Sequence, residues 1–261
     1  LLYNFDMQKK LIIGNWKMNP ETVDIARDLG EKVRTVALGL EKVITVIAPS
    51  FVHIGLFDLK KELDNFFLGA QTVSLDKEGA HTGEVSAKML KDLSVKYVIV
   101  GHSEQRERGV SSEIVAKQAL NVLENDMIPV ICVGEKSRDN EGGGHYEFLK
   151  DQIKASLNDI QKKYAKEIVL AYEPVWAIGA SAPMSSDQIC ETVIFIRKVF
   201  SDIFDSKTAL KIPVLYGGSV NFKNAEDIIK NGKVDGLLVG RESINITGFG
   251  ELLRVVDSLE N

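Results

Sequence analysis

A carboxylate stands where a short apolar run ends: Ile168-Val169-Leu170-Ala171 leads through Tyr172 to Glu173, and Pro174 follows. Pro174 fixes its own φ and restricts the residue before it, so Glu173 is presented in few directions. Behind it, Gly179-Ala180-Ser181-Ala182 offers little bulk against movement. An isolated Glu-Pro is commonly no more than a surface turn, so its meaning depends on its companions. His102 follows the run Tyr97-Val98-Ile99-Val100-Gly101, and Ser103 could cap a helical turn beyond it. The imidazole would then feel the positive end of a helix, which lowers its pKa and keeps it neutral. Gly14-Asn15-Trp16-Lys17 places an amide and an ammonium two residues apart, pointing the same way along an extended chain. Tyr216-Gly217-Gly218-Ser219-Val220 and Leu238-Val239-Gly240-Arg241 bring glycines and helix starts after two more apolar runs, the makings of a phosphate cradle. A base, a neutral imidazole, a Lys, an Asn and a cradle for phosphate suit proton transfer next to a carbonyl on a phosphorylated small molecule.

Other patterns fail. Gly142-Gly143-Gly144 lacks the preceding strand and the spacing of a dinucleotide fingerprint, and Gly218-Ser219 lacks the flanks of a nucleophile elbow. No Asp, His and Glu cluster has metal spacing, so the chain calls for no metal and no cofactor. His53, His81 and His145 have no comparable setting and read as surface or structural. The net charge of -5 argues against a nucleic-acid partner, which needs clustered Lys and Arg. No segment approaches the roughly 20 apolar residues of a membrane span, and no basic stretch precedes an apolar core near the start. Cys132 and Cys190 are too few and too far apart for a disulfide framework, which points to a reducing compartment, the cytoplasm by default.

The elements that must position these groups alternate along the whole chain. Leu11-Ile13, Val43-Ile47, Phe66-Leu68, Tyr97-Val100, Pro129-Val133, Ile168-Leu170, Pro213-Tyr216 and Gly236-Val239 are continuously apolar, as strands buried on both faces are. Between them lie helical patterns over Glu21-Leu38, Phe51-Leu63, Ser86-Leu93, Ser111-Glu124, Tyr146-Tyr164, Ser185-Phe204, Asn221-Lys230 and Phe249-Leu259. Eight of each, with no linker between them, predict one α/β domain, a single (β/α)8 barrel over residues 7–261; a doubly wound sheet is the alternative. In a barrel the turns after the strands gather at one end, so all the groups above would share one pocket. Leu1 to Asp6, ahead of Met7, read as an upstream or non-native extension.

Through Gly14-Asn15-Trp16-Lys17-Met18-Asn19, Tyr97 to Glu104, Ala171 to Gly179, Tyr216 to Val220 and Asp235 to Gly240, the chain closely resembles the triosephosphate isomerase family, from about Lys10 to Leu259. The resemblance implies interconversion of dihydroxyacetone phosphate and glyceraldehyde 3-phosphate. Glu173 would be the carbon base, His102 the electrophile, and Lys17 the cation that stabilises the enediolate. Asn15 would hold Lys17 and substrate oxygen, with Glu104 as a supporting carboxylate near Lys17. Gly179, Ser219, Gly240 and Arg241 would bind phosphate, largely through backbone N–H groups. It also implies a homodimer, in which Thr82 of the segment Ala80-His81-Thr82-Gly83-Glu84 enters the partner beside its Asn15 and Lys17. Five positions depart from the family pattern: Pro183 and Met184 in the lid's second hinge, Arg241 where glycine is common, Gln105 where Arg is common, and His81 for an aromatic. Pro183 cannot make the φ change of an ordinary hinge residue, so closure of the lid over 177–183 is expected to be slower or differently pivoted. Another phosphate-binding barrel enzyme, or a barrel that binds without turnover, are the competing readings.

Overall fold

The computed structural model describes residues 9–57, 64–138, 143–177 and 184–260. Eight strands run parallel and close on themselves in chain order: β1 (Lys10–Asn15), β2 (Val43–Ala48), β3 (Phe66–Ala70), β4 (Val95–Val100), β5 (Ile128–Val133), β6 (Val169–Tyr172), β7 (Val214–Tyr216) and β8 (Gly236–Val239). The seam lies between β1 and β8, with Leu11 opposite Gly236 and Gly14 opposite Val239. Gly236 makes that approach possible, because a Cβ there would lie 1.9 Å from the Leu11 carbonyl oxygen. A closed barrel excludes the doubly wound sheet.

The continuous apolar runs have a direct physical reason. Successive side chains on a strand face opposite ways, and here both ways lead into a core. Leu11, Ile13, Ile44, Val46, Tyr97, Ile99, Val130 and Ala171 fill the barrel interior. Ile12, Ile47, Val98, Val100, Ile131 and Leu170 pack outward under the helices. Each fully buried side chain of this size contributes about 1.5–3 kcal/mol. A one-residue slip would exchange the two sets and misfill both layers, which pins the register.

The outer layer holds α1 (Val23–Ala37), α2 (Phe51–Ile54), α3 (Ala87–Asp92), α4 (Ser103–Glu107), α5 (Ser112–Leu123), α6 (Gly144–Leu157), α7 (Ser186–Ile203), α8 (Ser206–Ala209), α9 (Ala225–Lys230) and α10 (Ile246–Asp257). Ten described helices stand where the pattern led to eight. The two extra ones, α4 and α8, are single turns with too few residues to show a period. The helix expected over Tyr146-Tyr164 stops at Leu157 and is followed by a separate 3-10 turn, Lys162–Tyr164. Leu1–Asp6, the second half of the helix expected over Phe51-Leu63, and the lid positions Gly179 and Pro183 lie outside the described residues.

Candidate active site

At the C-terminal ends of the strands, Asn15, Lys17, His102, Glu173, Ser219, Gly240 and Arg241 line one cavity of about 580 Å³. Glu104 lies beside it, against Lys17, and Gly179 falls outside the described residues.

Glu173 follows β6 directly. Its N–H donates to the Val133 carbonyl oxygen at 2.8 Å, so Glu173 is hung from β5 as well as from its own strand. It is 3 % exposed, and Oε2 has no hydrogen-bond partner. Gly217, one residue past β7, leaves it room: a Cβ there would come within 2.7 Å of Glu173 Cγ. Cys132 on β5 is fully buried near the same carboxylate; burial, then the Glu173 charge, pushes its thiol well up, so it stays neutral.

His102, 6 % exposed, caps α4 itself. Its Nδ1 accepts the Glu104 backbone N–H at 3.2 Å. An amide nitrogen can only donate, so in a neutral imidazole the proton sits on Nε2, which faces Glu173 Oε1 at 3.2 Å. The sequence led to a lowered pKa through the dipole of a following helix, with Ser103 as its cap. The structure corrects both points. The helix is five residues long, and a buried carboxylate touches the ring. Burial is the largest single influence and lowers the pKa, but the charge and hydrogen bond of Glu173 outweigh it, so His102 lies above its ordinary value.

Lys17 departs from expectation in another way. β1 ends at Asn15, and Lys17 is not on an extended chain but in the left-handed region, φ 53°. For a residue with a Cβ this costs about 1–3 kcal/mol. Its N–H donates to Asn15 Oδ1 at 3.0 Å, and its carbonyl oxygen accepts from Ser50 Oγ at 2.9 Å and Gln71 Nε2 at 2.7 Å. Three bonds at about 1 kcal/mol each offset the strain. The ammonium then reaches Glu104 Oε1 at 2.7 Å. Both side chains are partly exposed, so this pair adds at most about 1 kcal/mol of stability and matters for where the charge is held. Glu104 is partly buried, which raises its pKa, yet Lys17 outweighs this and holds the carboxyl below the usual range.

The opposite wall is formed by the turns after β7 and β8. Ser219 Oγ donates to the Ala177 carbonyl oxygen at 3.0 Å, tying the β7 turn to the segment that leaves Glu173. Beyond β8, Gly240 opens a 3-10 turn, Arg241–Ile244. Ser243 in that turn donates through Oγ to the Gly240 and Asn15 carbonyl oxygens at 2.7 and 3.2 Å. The two strand ends are thereby joined.

Several contributors escaped the sequence reading. Gln71 and Ser50 act on Lys17 from loops 54 and 33 residues away, with no local signal. Glu135 was legible only as punctuation after β5. It is buried, and Oε1 accepts from Tyr172 Oη and Trp176 Nε1, both at 2.9 Å. Arg106, next to the noted Gln105, donates to the Gly101 and Cys132 carbonyl oxygens at 2.8 and 3.0 Å and braces β4 against β5. Among the described residues no group of three His, Cys, Asp or Glu side chains could hold a metal ion.

Chemically, the site offers a buried carboxylate, an Nε2–H donor, an ammonium and a wall of backbone, all around one cavity. A family model described as triosephosphate isomerase matches residues 10–256. The chain is 36% identical over 249 residues to triosephosphate isomerase of Dictyoglomus turgidum, covering 95% of this chain and 100% of that protein. It is 40% identical over 252 residues to the enzyme of that name from Fusobacterium nucleatum (95% and 99%) and 41% over 257 residues to that from Mycoplasmopsis pulmonis (95% and 98%). A barrel of this topology, matched along nearly its whole length, belongs to the triosephosphate isomerase family.

Proposed function

We propose that the protein interconverts dihydroxyacetone phosphate and D-glyceraldehyde 3-phosphate, as in glycolysis and gluconeogenesis, by moving one proton between neighbouring carbons through an enediolate. The observation that carries this is the 3.2 Å approach of Glu173 Oε1 and His102 Nε2 at the floor of the shared cavity. Glu173 takes the proton from the carbon beside the carbonyl. His102 Nε2–H donates to the carbonyl oxygen as negative charge grows there, and the Lys17 ammonium stabilises that charge. Having protonated that oxygen, the His102 imidazole takes a proton back from the neighbouring hydroxyl, which becomes the new carbonyl, as the proton on Glu173 returns to the adjacent carbon and the isomer leaves. Asn15 holds the Lys17 backbone, Glu104 holds its ammonium, and the phosphate rests against Ser219, Gly240, Arg241 and Gly179.

A coupled assay on glyceraldehyde 3-phosphate tests this. Wild type should turn over, and Glu173→Asp, which retracts the carboxylate by about one bond, should lose roughly 10²-fold in kcat. Binding of a phosphate-bearing analogue without turnover by wild type would make the chain a binding protein instead.

The same reading makes the protein a homodimer through the loop around Thr82. The support is a cavity of about 290 Å³ on the flank of the site, lined by Asn15, Lys17, Met18, Gln71, Glu104 and Arg108 among others. The loop that would fill it from the partner is shaped by His81 Nδ1 at 3.3 Å from Asp76 Oδ2. The cytoplasm is the assigned compartment, supported by Cys132 and Cys190, both unpaired. Among the described residues no helix is long and apolar enough to cross a membrane.

A further inference from the structure

Two cations line the main cavity, Lys17 and Arg241. Lys17 is paired with Glu104. Arg241 is exposed, and its guanidinium has no ion pair and no hydrogen bond among the described residues. The nearest carboxylate in sequence, Glu242, is engaged elsewhere: its Oε1 accepts from Asn245 Nδ2 at 3.3 Å and packs against Gly248. The base of Arg241 is not loose. The Ser243 N–H donates to the Gly240 carbonyl oxygen at 2.9 Å, and Ser243 Oγ joins that carbonyl to Asn15. An unpartnered, planar, permanently charged fork is therefore mounted on a braced turn at the rim of the cavity, beside the turn that carries Gly217, Gly218 and Ser219. Guanidinium groups bind phosphate oxygens in pairs and hold them better than a point charge does.

We propose that the Arg241 side chain is a specificity-determining clamp that closes on the outer oxygens of a phosphate group resting against these turns. The proposal rests on the reading of this wall as the phosphate end of an isomerase site. It divides the work there in two. Backbone groups of the turns fix where the phosphate sits, and the guanidinium makes binding depend on its charge. The phosphate is remote from the reacting carbons, and binding energy from such a group is drawn on in the transition state as well as in the ground state, so the clamp acts on kcat/KM.

The experiment compares wild type with Arg241→Gln, Arg241→Gly and Arg241→Lys on three readouts: kcat and KM for glyceraldehyde 3-phosphate, the competitive inhibition constant of inorganic phosphate, and kcat/KM for unphosphorylated glyceraldehyde. In the Gln and Gly variants kcat/KM for glyceraldehyde 3-phosphate should fall, and the phosphate inhibition constant rise, about five- to tenfold, the scale of one partly solvated charged contact. Glyceraldehyde, which has no phosphate to hold, should react as in wild type, and Arg241→Lys should fall between. The decline of kcat/KM with salt should also be shallower without the guanidinium. A phosphate inhibition constant unchanged in Arg241→Gln overturns the proposal, as does a parallel loss on glyceraldehyde, which would mark Arg241 as a structural support for the turn. Should wild type bind phosphate but turn over neither substrate, a weaker phosphate affinity in Arg241→Gln would keep the clamp while the isomerase reading falls.

Discussion

His102 carries two bonds with opposite demands. The Glu104 amide on Nδ1 requires an unprotonated nitrogen there, while Glu173 at 3.2 Å from Nε2 favours a charged ring. The balance raises the His102 pKa against the lowering effect of burial. Raised above its unfolded value, the group contributes stability that is fully present below the ordinary histidine pKa of about 6.5 and is lost as pH rises through the folded value. The proposed proton transfer uses the neutral form, so kcat/KM should climb as pH rises through that same raised value. Carbon-13 NMR of the imidazole should locate the titration above the ordinary range in wild type. In Glu173→Gln the largest raising influence is gone, leaving burial and the Lys17 charge against Glu104 alone, and the titration should move down. A histidine that titrates at the same pH in both proteins would show that Glu173 does not govern it.

The elements explain why these groups meet, and also how much of the site could be read in advance. Glu173 directly follows β6, and His102 stands two residues past β4, so both side chains sit at the ends of apolar strands. This is why β6 followed by Glu173, and β4 followed by Gly101 and His102, were legible from apolar runs alone. What the runs could not reveal was geometry made by distant partners. Lys17 reaches Glu104 through a left-handed backbone that Ser50 and Gln71 hold, and the pKa of His102 answers to a carboxylate 71 positions further on. Single-turn helices such as α4 are too short to show a period, so His102 as its own cap was invisible. The spacing between neighbouring strand ends is tight enough to test. In Gly217→Ala the new Cβ would sit 2.7 Å from Glu173 Cγ and 3.3 Å from Oε1, which pushes the base off line. We expect a loss of roughly 10²-fold in kcat, the usual cost of a displacement near 1 Å, with far-UV circular dichroism unchanged. Full activity would mean that β6 and β7 slide apart more easily than their packing indicates.

At the scale of the whole molecule, Met18, adjoining Lys17, is 92 % exposed, the most exposed large apolar side chain among the described residues, and lines the flanking cavity with Gln71 and Arg108. In the homodimer reading it is covered by the partner. Met18→Asp would bury a charge there and should weaken association by roughly thirtyfold or more, as for an interface residue that carries binding energy. Sedimentation velocity reads this directly, and a wild type that is a fully active monomer at micromolar concentration would remove the dimer from the proposal. The chain also holds two tryptophans in contrasting places. Trp16 is 1 % exposed and packed edge-on against Phe57 at 6.0 Å. Trp176 is 36 % exposed, three residues past the base, with its indole N–H on the buried Glu135 carboxylate. An excited indole is sensitive to a nearby charge and to water, so the emission of the two rings separates: one constant, one tied to the backbone that carries Glu173. A phosphate-bearing ligand that shifts this segment should change the emission of wild type and of Trp16→Phe alike and leave Trp176→Phe silent. The molecule thus carries an optical gauge of its own base, readable in stopped flow without any added label.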